Sequence, residues 1–237
     1  MATTIATIIS NARRPLLEYT GADSNAFWSD AELLVHASNG VKDLWRAVID
    51  LHQEHFLTID ASGMGIAASG AVVSGVPADL FRVITIEPRT LTSSGSNVQF
   101  VPKEYKSETF KSARAQAAQT PDQVDEIYYA VSQAGAPVAA PTIHVAPTLS
   151  SALTLRVAYI PTLAALTGSS TNPIPGESDL AIQAWITAFA LAKEREDKMP
   201  DPAWLSIFAT EKQAMLTALT PRQEQEPEYV QGMWESD

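Results

Sequence analysis

Hydrophobic positions recur at steps of three and four in the first fifty residues, at steps of two through the middle, and at three and four again towards the end. Leu33, Leu34, Ala37, Val41, Leu44, Trp45, Val48 and Leu51 make one apolar stripe over about six turns, which predicts a long buried-face helix. Ser29 or Asp30 serves as its N-cap, and Glu32 stands at the capping-box distance from Ser29. Asn39-Gly40 is expected to soften its middle, and Trp28 to staple onto its first turn. Upstream, Thr3 to Ala12 reads as a short helix ended by Pro15.

After His55 the period falls to two. Phe56 to Asp60 (FLTID) and Phe81 to Glu87 (FRVITIE) alternate as strands do, with a weakly patterned Gly/Ala/Ser/Val tract between them and a turn at Ser93 to Asn97. Val101 to Thr120 has helical character up to Thr120-Pro121. Ile127 to Gln133, Thr142 to Ala146 and Leu153 to Ile160 read as strands. Pro137, Pro141 and Pro147 punctuate them, which favours short or edge strands over a deep parallel sheet.

The final third is helical. Asn172 to Gly176 is a linker, and Asp179 to Lys198 is amphipathic through Leu180, Ile182, Trp185, Ile186, Phe189 and Ala192. Asp201-Pro202 starts another helix, with Asp as N-cap and Pro as the first helical residue. It runs through Trp204, Leu205, Phe208, Met215 and Leu216 and stops before Pro221. The expected fold class is therefore α+β. A helical bundle (1–55 and 172–220) pairs one long helix of the first half with a C-terminal helix pair. A small antiparallel β-domain (56–171) is inserted into it, and an extended acidic tail (221–237) follows.

An apolar content of 46% over 237 residues is enough for a real core in one or two domains. The absence of cysteine removes disulfides and thiolate chemistry. No basic leader with an apolar run opens the chain, and no run approaches a bilayer span, so the protein is expected to be made and used without crossing a membrane. The net charge of −11 comes without any Lys/Arg stripe, which argues against gripping nucleic acid. The tail contributes Arg222 against Glu224, Glu226, Glu228, Glu235 and Asp237.

Candidate chemistry is thin. His52 and His55, with Asp50 and Glu54 beside them, have a spacing that can hold a divalent ion; a solvated helix end, where histidine suits the C-terminal dipole, is the simpler reading. No third or fourth ligand stands out. Gly63-Met64-Gly65-Ile66-Ala67-Ala68 fits the G-x-G-x-x-A dinucleotide pattern, with Glu87 near the distance of a ribose contact. The intervening SGAVVSGVPAD cannot form the crossover helix such a site needs. His36 and His144 are isolated, and no nucleophile elbow, phosphate loop or zinc-protease motif occurs. Neither a catalytic residue nor a cofactor is expected.

Four stretches, in order, resemble the head-to-tail adaptor proteins of tailed bacteriophages. They are FWSDAELLVHASNGVKDLW (Phe27 to Trp45), VPADLFRVITIE (Val76 to Glu87), TIHVAPTLSSALTLRVAYIPTL (Thr142 to Leu163) and the closing helix pair from Asn172 to Leu216. The third looks like a hairpin that turns near Ala146-Pro147 before a strand ending in Tyr159. The tract 61–75 and the KEYKSETF segment are the least family-like. The resemblance implies a virion structural protein, not an enzyme, at the neck between head and tail. It implies a ring, commonly of twelve copies, that contacts itself, the portal protein and tail or nozzle proteins. Genome DNA is then only passing cargo, and assembly takes place in the host cytoplasm. Acidic residues lining the channel would let DNA slide, and Tyr229 and Trp234 in the tail are expected to dock on the portal. Two alternatives remain: another neck or tail-completion protein, and a metal-dependent enzyme built on His52 and His55.

Overall fold

The computed structural model describes residues 3–16, 27–60, 63–89, 98–120, 124–132, 141–175, 177–195 and 197–220. The chain divides into two compact units: Met1–His52 with Ala165–Asp237, and Gln53–Ala164, which lies between those segments in the chain. The class is α+β, as the change of period predicts. Residues 221–237, expected as a tail, lie outside the described residues.

The first unit is built on α1 (Ile5–Arg13), α2 (Asp30–Leu51), α4 (Asp179–Leu191) and α5 (Pro202–Leu219). Thr4 caps α1 by accepting from the Thr7 N–H at 3.3 Å, and Ser29 caps α2 by accepting from Glu32 at 3.2 Å. The buried stripe of α2 comprises Leu33, Ala37, Gly40, Val41, Leu44, Trp45, Val48 and Ile49. Leu51, counted in the stripe from sequence, is instead 64% exposed. Gly40 does not soften the helix, which runs unbroken; its bare Cα lets the Trp185 ring of α4 lie directly against it. Trp28, only 3% exposed, is anchored by its indole N–H donating to the Ala190 carbonyl of α4 at 2.8 Å, a partner far along the chain.

The expected amphipathic helix of 179–198 is corrected in both length and character. It ends at Leu191, and Ala181, Ile182, Ala184, Ile186, Thr187, Ala188 and Ala190 are buried around most of its circumference. The reason is position: α4 packs against α1, α2 and α5, so little of it faces water. Leu180 is the exception at 45% exposed. The mixed run after Ala192 turns through Lys198, at φ 53°, into α5, whose cap Asp201 accepts from Ala203 and Trp204 at 2.9 and 3.2 Å.

The second unit opens with a short 3-10 turn, Gln53–Phe56, where a strand was expected to begin, so β1 is only Thr58–Asp60. Then come β2 (Gly65–Ile66), β3 (Val73–Ser74), β4 (Leu80–Pro88), β5 (Gln99–Pro102), α3 (Glu108–Arg114), β6 (Glu126–Ser132), β7 (Thr142–Ala146) and β8 (Leu153–Pro161). The prolines around β8 do not make it peripheral. It is the central strand of an antiparallel sheet, pairing with β1 and β2 along one edge and with β4 along the other. A second sheet runs β5-β6-β7, with β5 and β6 parallel. A bridge from Val72 to His144 links the two sheets, and β5 lies beside β4, so the strands nearly close a circuit. Ile66, Ile86, Ile127, Ile143, Leu155 and Val157 fill its interior.

The helix expected over 101–120 is mostly not one. Its first residues continue β5, where the Lys103 N–H donates to the Tyr129 carbonyl at 2.8 Å. Only Glu108–Arg114 coils, because Ser107 caps it and Phe110 and Ala113 alone find a surface to bury against, on Ala130 and Ala146.

Candidate assembly surfaces

The residues that sequence singled out do not assemble into a reactive site. His52 ends α2, is 8% exposed, and its Nε2 lies 3.3 Å from the Thr220 Oγ1. His55, Asp50 and Glu54 are exposed. Among the described residues no group of three or more His, Asp or Glu is placed to hold a metal ion. The G-x-G-x-x-A stretch leads into no helix: Gly65 is in β2, where a Cβ would press on the Leu153 carbonyl oxygen at 3.0 Å, and Glu87 faces Arg156 across β4 and β8. Gly65 serves close strand packing, not a phosphate, so the dinucleotide pattern is coincidental. Tyr229 and Trp234 lie outside the described residues.

Two surfaces of the helical unit are open. A cleft of about 370 Å³ is lined by Ala6, Ile9, Leu34, Gly168, Arg13 and Asp30, among others. Its two charged groups already satisfy each other: Arg13 Nη2 donates to Asp30 Oδ1 at 2.6 Å and to the Trp28 carbonyl at 2.9 Å. With the Arg13 side chain only 4% exposed, the pair is a structural staple between α1 and α2. The second surface is the outward face of α5. Its exposed positions, including Ser206, Ile207, Thr210, Gln213, Ala214 and Thr217, carry no charge. A helix face that stays in water ordinarily carries Lys and Glu.

In the β unit the sheet face over β1, β4 and β8 leaves Leu57 and Ile59 40% and 50% exposed beside Thr85 and Ala158. The outer face of the second sheet carries a polar and aromatic cluster that sequence reading missed. His144, far from isolated, has its Nε2 2.8 Å from the Ser132 Oγ and its ring 4.7 Å from that of Tyr105. Arg114 of α3 donates to the Tyr105 hydroxyl at 2.6 Å. Period-two alternation places His144 on that face of β7, but only the tertiary position of α3 brings Tyr105 and Arg114 to it.

Burial lowers the His144 pKa and Arg114 lowers it further; burial also lowers that of His36, with Lys193 adding to the effect and Glu32 opposing it. A histidine with a depressed folded pKa binds fewer protons folded than unfolded. Stability is therefore full above the unfolded value of about 6.5 and falls as pH drops through it. Urea midpoints are expected to be lower at about pH 5.5 than at about pH 7.5, and the difference should shrink in His36→Asn. An equal shift in wild type and variant would remove His36 as its source.

A family model described as SU10 adaptor protein matches residues 3–232. No curated protein matches the chain.

Proposed function

The chain belongs to the SU10 adaptor protein family, phage head-to-tail adaptors with a structural role, and from that premise we propose that it forms a ring between portal and tail through which genome DNA passes. The proposed ring has twelve copies and sits at the virion neck, after assembly in the host cytoplasm. The observation that carries the reading is the span of the family match, which takes in both units. The chemistry supports it: the described surfaces offer apolar and uncharged faces suited to contact. Closed cyclic symmetry is the economical way to cover such faces.

The acidity fits a passage for DNA. With a net charge of −11, carboxylates on a channel wall repel phosphates and leave the duplex free to slide. The segment from Pro221 onwards, with Tyr229 and Trp234, docks on the portal in this reading, and tail or nozzle proteins bind the opposite side.

Native mass spectrometry of the purified protein with and without portal tests the proposal. A closed ring on the portal is the expected result; a chain that stays monomeric and ignores the portal under every condition sinks it. Deletion of 221–237 should weaken portal binding while leaving the thermal transition of the remaining chain in place. Unchanged portal binding would refute the assignment of Tyr229 and Trp234.

A further inference from the structure

We infer that the outer face of the second sheet, around Arg114, Tyr105 and His144, is a docking surface for acidic side chains of a second copy of this chain. The inference rests on the ring reading and names one of its contacts.

Charge is the first argument. The helical unit carries nine Lys and Arg against eighteen Asp and Glu, whereas the β unit carries seven against nine. Identical subunits this acidic repel one another unless a less acidic face of one meets carboxylates of the next. The stretch 103–114 of the β unit is locally positive: Lys103, Lys106, Lys111 and Arg114 stand against Glu104 and Glu108. Only Lys111 is held by one of those carboxylates, Glu108, at 3.1 Å, and both side chains are exposed, so that pair is readily exchanged for another.

The second argument is the composition of the face. Tyr105 is 39% exposed and Val72 43%, flanking the half-buried His144. The Arg114 guanidinium lies 5.7 Å from the centre of the Tyr105 ring, and the Lys103 ammonium 5.5 Å from that of Tyr128. A rigid aromatic platform carrying guanidinium and hydroxyl donors is the make-up of contacts that dominate protein interfaces. The charge acting on His144 is that of Arg114, while β6 contributes the Ser132 hydroxyl and the segment before α3 contributes Tyr105. An incoming carboxylate therefore finds Arg114 and, after proton uptake, His144. Duplex DNA is the poorer candidate, because two carboxylates are interleaved with the four cations and no continuous stripe exists to release counterions.

Sedimentation velocity of the full chain, with and without portal, provides the test. Arg114→Glu is expected to weaken self-association by about tenfold or more, and Arg114→Gln by less, with unchanged circular dichroism. Wild-type association should weaken on raising salt from about 50 to about 500 mM and strengthen on lowering pH from about 7.5 to about 6. His144→Gln should abolish the pH response alone. If Arg114→Glu proves poorly folded, Lys106→Glu replaces it with the same expectation. A ring that forms equally well with both reversals overturns the inference and leaves the ring reading standing. A wild-type chain that forms no ring overturns both. Unchanged self-association with a loss confined to duplex-DNA retention would also overturn it.

Discussion

Trp28→Ala is expected to lower the stability of the helical unit by about 3–5 kcal/mol, the usual range for deleting a buried large aromatic. Two losses add. The indole, 3% exposed, leaves a void where it packed, and the Ala190 carbonyl near the end of α4 loses one of its donors, keeping the Lys193 N–H at 3.0 Å. The arrangement is costly to disturb because Trp28 is local to α2 but bonded to α4, so one side chain joins elements at opposite ends of the sequence. The carbonyl bond can be separated from the packing: Trp28→Phe keeps most of the apolar surface and removes the donor, and should cost only about 1–2 kcal/mol. Urea unfolding followed at the helical far-ultraviolet band measures both. A Trp28→Ala midpoint within error of the wild type would refute this account of how α2 and α4 are tied.

Gly40→Leu is expected to cost about 3 kcal/mol, and Gly40→Ala about 1 kcal/mol net, although alanine is the better helix former by nearly 1 kcal/mol. A Cβ at position 40 would lie 2.9 Å from Trp185 Cδ1, 3.0 Å from Cγ and 3.2 Å from Cβ. Those atoms belong to the root of the tryptophan, and its ring is packed at 4.6 and 4.8 Å against Phe189 and Phe208. Moving the root of the tryptophan disturbs that aromatic packing, so the helices must separate or the rotamer must strain. Guanidinium unfolding of both variants, read by tryptophan emission, is the measurement. If Gly40→Ala proves more stable than wild type, helix propensity has won and the close-approach argument fails.

The helices were legible where their pattern was local. The capping residues Ser29 and Asp201 act as their spacing predicts, since a cap depends on the next three residues and on nothing distant. The period-two runs at Thr142 to Ala146 and Leu153 to Ile160 are strands for the same reason. What sequence misjudged depends on neighbours. Gly40 read as a weak point because its partner lies far along the chain. The 179–198 helix read as one-sided because no pattern records that three helices surround α4. The end of β5 was absorbed into a helix because the lysines and glutamate that follow it suit helices, while the parallel partner that makes it a strand begins at Glu126. The candidate surface was not legible in the sequence, because Tyr105, Arg114 and His144 are brought together by packing alone.

The position of β8 sets a timetable for folding on the ribosome. β1 and β4 take their sheet pairing from residues 153–161, and β2 has only the two-residue β3 beside it until then, so the sheet cannot form until the end of that unit is made. The helical unit waits longer, because the buried stripe of α2 meets α4 only after residue 191 has emerged. At about 5–20 residues per second the N-terminal helices spend roughly 7 to 28 seconds with the apolar face of α2 uncovered by α4. Closing the open chain between α2 and α4 costs about 4 kcal/mol in loop entropy, and prior folding of the β unit replaces most of that loop with a compact body. Loss of β8 packing should therefore be felt first as slow maturation and aggregation of the helical unit, before any ring could be assembled.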